Sequence, residues 1–105
     1  MTIGEILGII DSNLAGVFGS LGQQTRLEIL KLLAPHSQGK APLGMAAGQI
    51  AAALAVSPPT LSFHLKDMSL RQLLLSKRHG REIHYAANLP LILSALGDLV
   101  TELEA

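Results

Sequence analysis

Two short stretches of this chain combine hydroxyls, cations and an aromatic ring in a way that suits contact with a polyanion. The first is SPPTLSFHLKDM, Ser57 to Met68. At 100° per residue, Leu61, Leu65 and Met68 form one apolar stripe, at i, i+4 and i+7. Pro59, Ser62, Phe63 and Lys66 then fall on the opposite, outward face. Thr60 and Ser62 can hydrogen-bond to base edges or phosphates, and Phe63 can contact a thymine methyl. Lys66 can neutralise a phosphate, and the N-terminus of a helix headed by Ser57 can receive another. An aromatic ring beside hydroxyls and a cation is poor chemistry for a water-facing surface and reasonable chemistry for a DNA groove. The second stretch is KRHGR, Lys77 to Arg81, in which Lys77, Arg78 and Arg81 flank His79 and a glycine. At the tip of a hairpin these cations can lie along a minor groove or its phosphates. Taken alone, such charges equally fit a solvated turn.

The elements that position these residues follow from periodicity. Thr2 followed by Glu5 fits a capping box, and Ile3, Ile6, Leu7, Ile10, Leu14, Val17 and Phe18 continue at helical spacing. Gly4, Gly8, Gly16 and Gly19 weaken that helix by about 1 kcal/mol each relative to Ala, and suit close approach of another backbone. Gln23 or Gln24 opens a second helix, TRLEILKLLA, that stops before Pro35. Residues 35–44, PHSQGKAPLG, lack periodicity and carry turn residues, so a loop is expected. A third helix is expected from about Ala46 to Ala55. Ser57 is expected to cap a fourth, with Pro58 at the first helical position, where its missing N–H costs nothing. From Leu73 to Ala87 the pattern changes to two strand-like halves around a turn at His79-Gly80. Asn88, Leu89 and Pro90 start a last helix with Leu93, Leu96, Val100 and Leu103 along one stripe. The order is four helices, a hairpin and a helix. That is a winged helix-turn-helix with an extra helix at each end: mainly α with a β-hairpin wing, α+β, five helices plus hairpin.

Composition bounds the rest. A chain of 105 residues implies a single domain, 1–105, small enough to gain from a partner subunit. Hydrophobic residues make up 49%, yet Phe18, Phe63 and Tyr85 are the only aromatics, so the core must be built from Leu, Ile, Val and Ala. With no cysteine, disulfides, thiolate metal sites and thiol redox sensing are excluded. Neither a secretion signal nor a membrane span is legible, so a cytoplasmic protein is expected. The formal net charge is zero, which by itself argues against nucleic acid. The distribution argues otherwise: residues 57–85 carry five basic side chains against two acidic ones, and the only charges in residues 86–105 are three acids. The chain has no Ser/His/acid or Cys/His arrangement, no glycine-rich phosphate loop after a strand and no paired carboxylates in an evident cleft, so no enzyme is expected.

LGQQTRLEILKLL, GQIAAALAVSPPTLSFHLKDM and LLLSKRHGREIHYAA together resemble the ArsR/SmtB family of dimeric winged-helix repressors. The resemblance covers residues 14 to 100. Its most specific parts are the TRL-IL-LL helix, the S-x-x-T-x-S-x-H-L reader helix, and the R-x-G-R hairpin followed by Tyr85. It implies a homodimer that represses transcription on a two-fold symmetric operator in double-stranded DNA and leaves it when an effector binds. The matching DNA positions are Ser57, Thr60, Ser62, Phe63 and Arg78 to Arg81, to which the helical geometry adds Pro59 and Lys66, and the hairpin adds Lys77. The chain also departs from the family. Ala55, and Arg71-Gln72, stand where relatives often have glycine. If the backbone there needs positive φ, each carries a strain of roughly 1 kcal/mol. Pro58 stands where relatives often place a glutamine on DNA.

The effector is not legible, and no cofactor is assigned. Many relatives sense metals through a cysteine pair at positions that are Ala46 and Gly48 here. Others hold zinc between the paired last helices, where this chain offers Asp98 and Glu102 without a histidine, a pair that fits an ordinary solvated face. His64, at the edge of the core stripe, reads as a packed, hydrogen-bonded structural residue; His79 and His84 alternate along the wing, facing solvent or DNA. For dimerisation, Ile6 and Ile10 on the first helix and Leu93, Leu96 and Val100 on the last are the interface candidates, because two readers must be held about 34 Å apart to meet a palindrome. The competing reading is a winged-helix module for protein partners, with Phe63 and Leu70 as an apolar contact patch.

Overall fold

The computed structural model describes residues 16–20, 22–38 and 43–105. The expected Thr2–Glu5 cap, Gly4, Gly8 and the interface candidates Ile6 and Ile10 lie outside the described residues. Residues 16–20 are helical (α1), followed by α2 (Gln24–Leu33), a 3-10 turn (Ala34–His36), β1 (Met45–Ala46), α3 (Ala47–Leu54), α4 (Pro58–Leu70), β2 (Leu74–His79), β3 (Glu82–Ala87) and α5 (Leu89–Glu104). The fold is the expected winged helix-turn-helix with five helices, and it adds one element. Met45 and Ala46 pair with Tyr85 and His84, so the wing is a three-stranded antiparallel sheet of order β1-β3-β2 rather than a bare hairpin. The segment read as one loop over 35–44 therefore begins in a 3-10 turn and ends at the entry to a strand.

Each helix that carries the reader is set by local chemistry. In α2, Ile29 and Leu33 are fully buried at i and i+4, as one apolar face requires. In α3, Gln49 at the third helical position accepts a hydrogen bond from Ala46 N–H at 2.9 Å, which satisfies a free donor at the helix start. In α4, Leu61, Leu65 and Met68 are buried as the 100° spacing predicts. These side chains meet Ile50 of α3 and Leu73, Leu74 and Ala87 of the sheet in one cluster. In α5, Asn88 caps the first turn by accepting from Leu91 N–H at 3.4 Å, a long bond.

Ser37 ties this core to the wing. Its buried hydroxyl donates to Leu33 O at 2.6 Å and accepts from Ala87 N–H at 2.8 Å, joining the end of α2 to the end of β3. Gly44, at φ +66°, brings the chain so close to β3 that a Cβ there would stand 2.5 Å from Tyr85 O. The hairpin turn is Gly80-Arg81, one residue later than read from sequence, since His79 pairs with Glu82. Gly80 has φ +62° and Arg81 is not among the positive-φ residues, which is the pattern of a type II′ turn.

The two non-glycine departures take the backbone that glycine would otherwise supply. Ala55 lies at φ 53°, ψ 42° and Gln72 at φ 62°, both left-handed. Ala55 ends α3 and aims the chain into the reader helix, while Gln72 turns it from the reader helix into β2. Among the described residues no helix is long and apolar enough to cross a membrane.

Candidate DNA interface

The reader helix presents the expected residues to solvent. Pro59, Thr60, Ser62, Phe63 and Lys66 are all exposed, Phe63 at 66% of its surface. Ser57 stands at the N-cap position in extended conformation, but its hydroxyl does not cap the helix. Pro58 and Pro59 lack the N–H groups of the first two helical positions, which leaves Thr60 N–H as a cap's one usual partner. Ser57 Oγ instead donates to Thr60 Oγ1 at 2.9 Å. That leaves the Thr60 hydroxyl hydrogen free to donate outward.

A buried arginine fixes the orientation of this helix. Arg26 of α2 is 3% exposed. Its Nη1 donates to Asp67 Oδ2 at 2.5 Å and to Ser20 Oγ at 2.6 Å, and its Nε donates to His64 Nδ1 at 3.0 Å. Arg71 Nε also donates to Asp67 Oδ2, at 3.2 Å. Both Asp67 and His64 belong to α4, so the guanidinium fork grips the reader helix one turn apart and ties it to α1 as well. Asp67 is held below the usual carboxylate range, first by the Arg26 hydrogen bond and then by that of Arg71, against partial burial. Burial, with the Arg26 charge second, pushes the His64 pKa down, partly offset by Asp67. The geometry agrees, because a ring nitrogen that accepts from Arg26 carries no proton. The structural reading of His64 therefore holds. Sequence reading missed the role of Arg26: its partners on α4 lie 38 and 41 residues away, and the one signal for it was its place at i−3 from Ile29, on the buried face of α2.

The wing places its residues on two faces. Strand alternation and the register put Ser76, Arg78, Ile83 and Tyr85 on one face and Lys77, His79, Glu82 and His84 on the other. Ser76, Ile83 and Tyr85 line a groove against α4 together with Ser62 and Lys66, so Arg78 shares the reader-side face. His79 lies away from it, its ring 4.5 Å from that of His84. His84 in turn lies 3.3 Å from both Glu82 Oε2 and Leu43 O. Lys77, Arg78, His79 and Arg81 are all exposed, but Arg78 alone of the strand residues joins the reader's flank, with Arg81 at the turn.

On α5, Leu93 (64% exposed), Leu96, Val100 and Leu103 (76%) form an exposed stripe, with only Ala95 of the helix buried. Asp98 is also exposed.

The comparisons agree with this architecture. Residues 21–76 match the sequence profile of a helix-turn-helix domain family. The chain is similar to the structure of an ArsR-like transcriptional regulator from Rhodococcus sp. RHA1, with 30% identity, a TM-score of 0.73, and coverage of 86% of this chain and 78% of that one. It is similar at 25% identity and TM-score 0.67 to the homodimeric winged helix-turn-helix DNA-binding domain of a possible ArsR-family transcriptional regulator from Mycobacterium bovis, covering 97% and 88% of the two chains. The AntR antimony-specific transcriptional repressor is 27% identical with a TM-score of 0.63, covering 98% and 83%. No curated protein matches the chain. With a reader helix gripped by a buried arginine, a cationic wing beside it, and these two levels of likeness, the chain belongs to the ArsR-like helix-turn-helix family of DNA-binding transcription regulators.

Proposed function

We propose that the protein is a homodimeric repressor that binds a palindromic operator through α4 and the wing. The observation that carries this reading is the joint exposure of Ser62, Phe63 and Lys66 on a helix faced by the side of the wing that holds Arg78, with Arg81 exposed at the hairpin turn. Hydroxyls and an apolar ring in reach of base edges supply discrimination, while the cations supply phosphate affinity. The stripe of Leu93, Leu96, Val100 and Leu103 supports the dimer. Each such side chain gains about 1.5–3 kcal/mol when fully covered, so an uncovered stripe of four is costly on a free monomer. Thiol and thiolate sensing are excluded, as the chain has no cysteine.

The test is fluorescence anisotropy with duplex from the region upstream of the protein's own coding sequence, competed with scrambled duplex at two salt concentrations. Tight binding that falls with salt and resists the scrambled competitor is the expected result. Lys66→Ala and Arg78→Ala should weaken all duplexes alike, whereas Ser62→Ala should mainly relax discrimination. Unchanged binding in all three variants would refute the assignment of reader and wing. One observation favours a second reading: Phe63 and Leu70 are 66% and 74% exposed, enough apolar surface to serve a protein partner. Salt-insensitive capture of a partner protein, with equal weak affinity for both duplexes, would support it.

A further inference from the structure

Between the reader helix and the wing lies a groove of about 370 Å³, within the range of about 300–1,000 Å³ typical of small-molecule sites. Leu65, 2% exposed, forms its floor, and Leu70 and Ile83 form apolar walls, 74% and 44% exposed. Lys66 is the single charged side chain lining it among the described residues, with no carboxylate opposite. Ser69 also lines it, and its hydroxyl oxygen is buried without a hydrogen-bond partner among the described residues. A buried, unsatisfied hydroxyl costs about 1–3 kcal/mol, so turning the Ser69 side chain to meet a ligand oxygen in the groove is favourable. Apolar walls, one ammonium and one orphaned hydroxyl describe a site for a small organic anion with an apolar body. A bare phosphate would leave Leu70 and Ile83 without a partner.

We propose that this groove binds an aliphatic carboxylate, its headgroup on Lys66 and the Ser69 hydroxyl and its chain against Leu65, Leu70 and Ile83. Ser62 and Lys66 belong both to the groove and to the DNA-contacting face proposed above, so ligand and DNA exclude one another. Binding of the carboxylate stands on the groove alone; its regulatory consequence rests on the DNA reading.

Tyr85 lines the groove and is the only tyrosine in a chain without tryptophan, so its emission reports on the site independently of DNA. Titration of the full chain with acetate, butyrate, hexanoate and octanoate at matched ionic strength should change Tyr85 emission saturably for the longer acids. Affinity should rise by up to about fourfold per added methylene, and hexylamine should give no response. Lys66→Gln should weaken octanoate roughly tenfold and Ser69→Ala roughly threefold. Ile83→Thr, which removes apolar wall at an exposed strand position and leaves every residue proposed to touch DNA in place, should weaken it roughly fivefold. No saturable response to octanoate, or a wild-type affinity for it in both Lys66→Gln and Ile83→Thr, would overturn the proposal. In the presence of operator duplex, octanoate should lower DNA affinity in the wild type, and Ile83→Thr should need roughly fivefold more octanoate for the same loss. A Tyr85 response in a protein that binds no duplex would keep the site and remove the DNA reading, whereas DNA binding without a Tyr85 response would do the reverse.

Discussion

Replacing Ala55 by glycine should stabilise the protein, contrary to the usual effect of glycine at a helix end judged by propensity alone. Ala55 sits at φ 53°, ψ 42°, where an L-residue's Cβ crowds the neighbouring carbonyl at a cost of about 1–2 kcal/mol. Glycine escapes that cost but loses about 0.4–1 kcal/mol through the greater freedom of the unfolded chain. The methyl group is exposed, so no buried area is lost, and the Ala55 N–H keeps its bond to Ala51 O. The net gain is about 0.5–1 kcal/mol, or a rise in Tm of roughly 2–8 °C for a domain of this size. Gln72→Gly should behave alike. Its exposed side chain covers nothing, and its backbone bonds, N–H to Ser69 O at 3.0 Å and O from Asn88 Nδ2 at 2.8 Å, survive the change. The two sites bracket the reader helix at opposite ends, so the gains should add to about 1–2 kcal/mol. Ala55→Val, β-branched, is the mirror control and should destabilise. Thermal and urea unfolding followed by circular dichroism would measure all four variants at one protein concentration, because the proposed dimerisation would make the midpoint concentration-dependent. A lowered midpoint in Ala55→Gly with Ala55→Val unchanged would refute the claim that this turn stores left-handed strain.

Other perturbations test the clamp and the wing. Gly44→Ala should destabilise by about 2 kcal/mol or more, since the new Cβ meets Tyr85 O at 2.5 Å in a left-handed residue; loss of slow amide exchange at the β1–β3 pair would locate the damage. Asp67→Asn should cost about 1–3 kcal/mol by urea unfolding, because it leaves the Arg26 charge buried with weaker partners; a neutral outcome would mean that Arg26 is satisfied by Ser20 and His64 alone. Acidification should act in two steps. His64 has a lowered folded pKa, so stability is fully present above the unfolded value of about 6.5 and falls as pH drops below it, until the folded pKa is passed. Asp67 has a lowered pKa too, so its contribution persists above about 4 and is lost as pH falls through its lower folded value. Urea midpoints of the wild type and His64→Gln across this range should differ in the first step, and identical slopes there would exclude His64 as its source. The wild type should sediment as the proposed dimer and Val100→Glu as a monomer by analytical ultracentrifugation; an unchanged dimer would place the interface elsewhere, and a monomeric wild type would remove the dimer.

Much of the candidate site was legible because its determinants are local. The outward placement of Ser62, Phe63 and Lys66 follows from the 100° step of a helix whose inward stripe is Leu61, Leu65 and Met68, so composition and spacing suffice to orient it. The stripe on α5 and the hairpin at Gly80 were readable for the same reason, although the turn falls one residue later. The missing cap at Ser57 was a chemical misreading: Pro59 removes one of the two donors a cap uses, and the Ser57 hydroxyl turns to that of Thr60 instead. Pairwise facts were not legible. Met45-Ala46 is a strand only because β3 runs beside it, and two apolar residues carry no period of their own.

By itself, then, the sequence determined the helices from Gln24 onward and the hairpin, the buried stripe of α4 and the residues left on its outward face, since backbone geometry turns residue order directly into direction. Tertiary structure alone decided that Arg26 grips Asp67 and His64, that the face of the wing carrying Arg78 is the one turned to α4, and that Lys66 and Ser69 share a groove with Ile83 and Tyr85. Those relations join residues far apart in the chain. Their energies depend on distance in space, which periodicity does not encode.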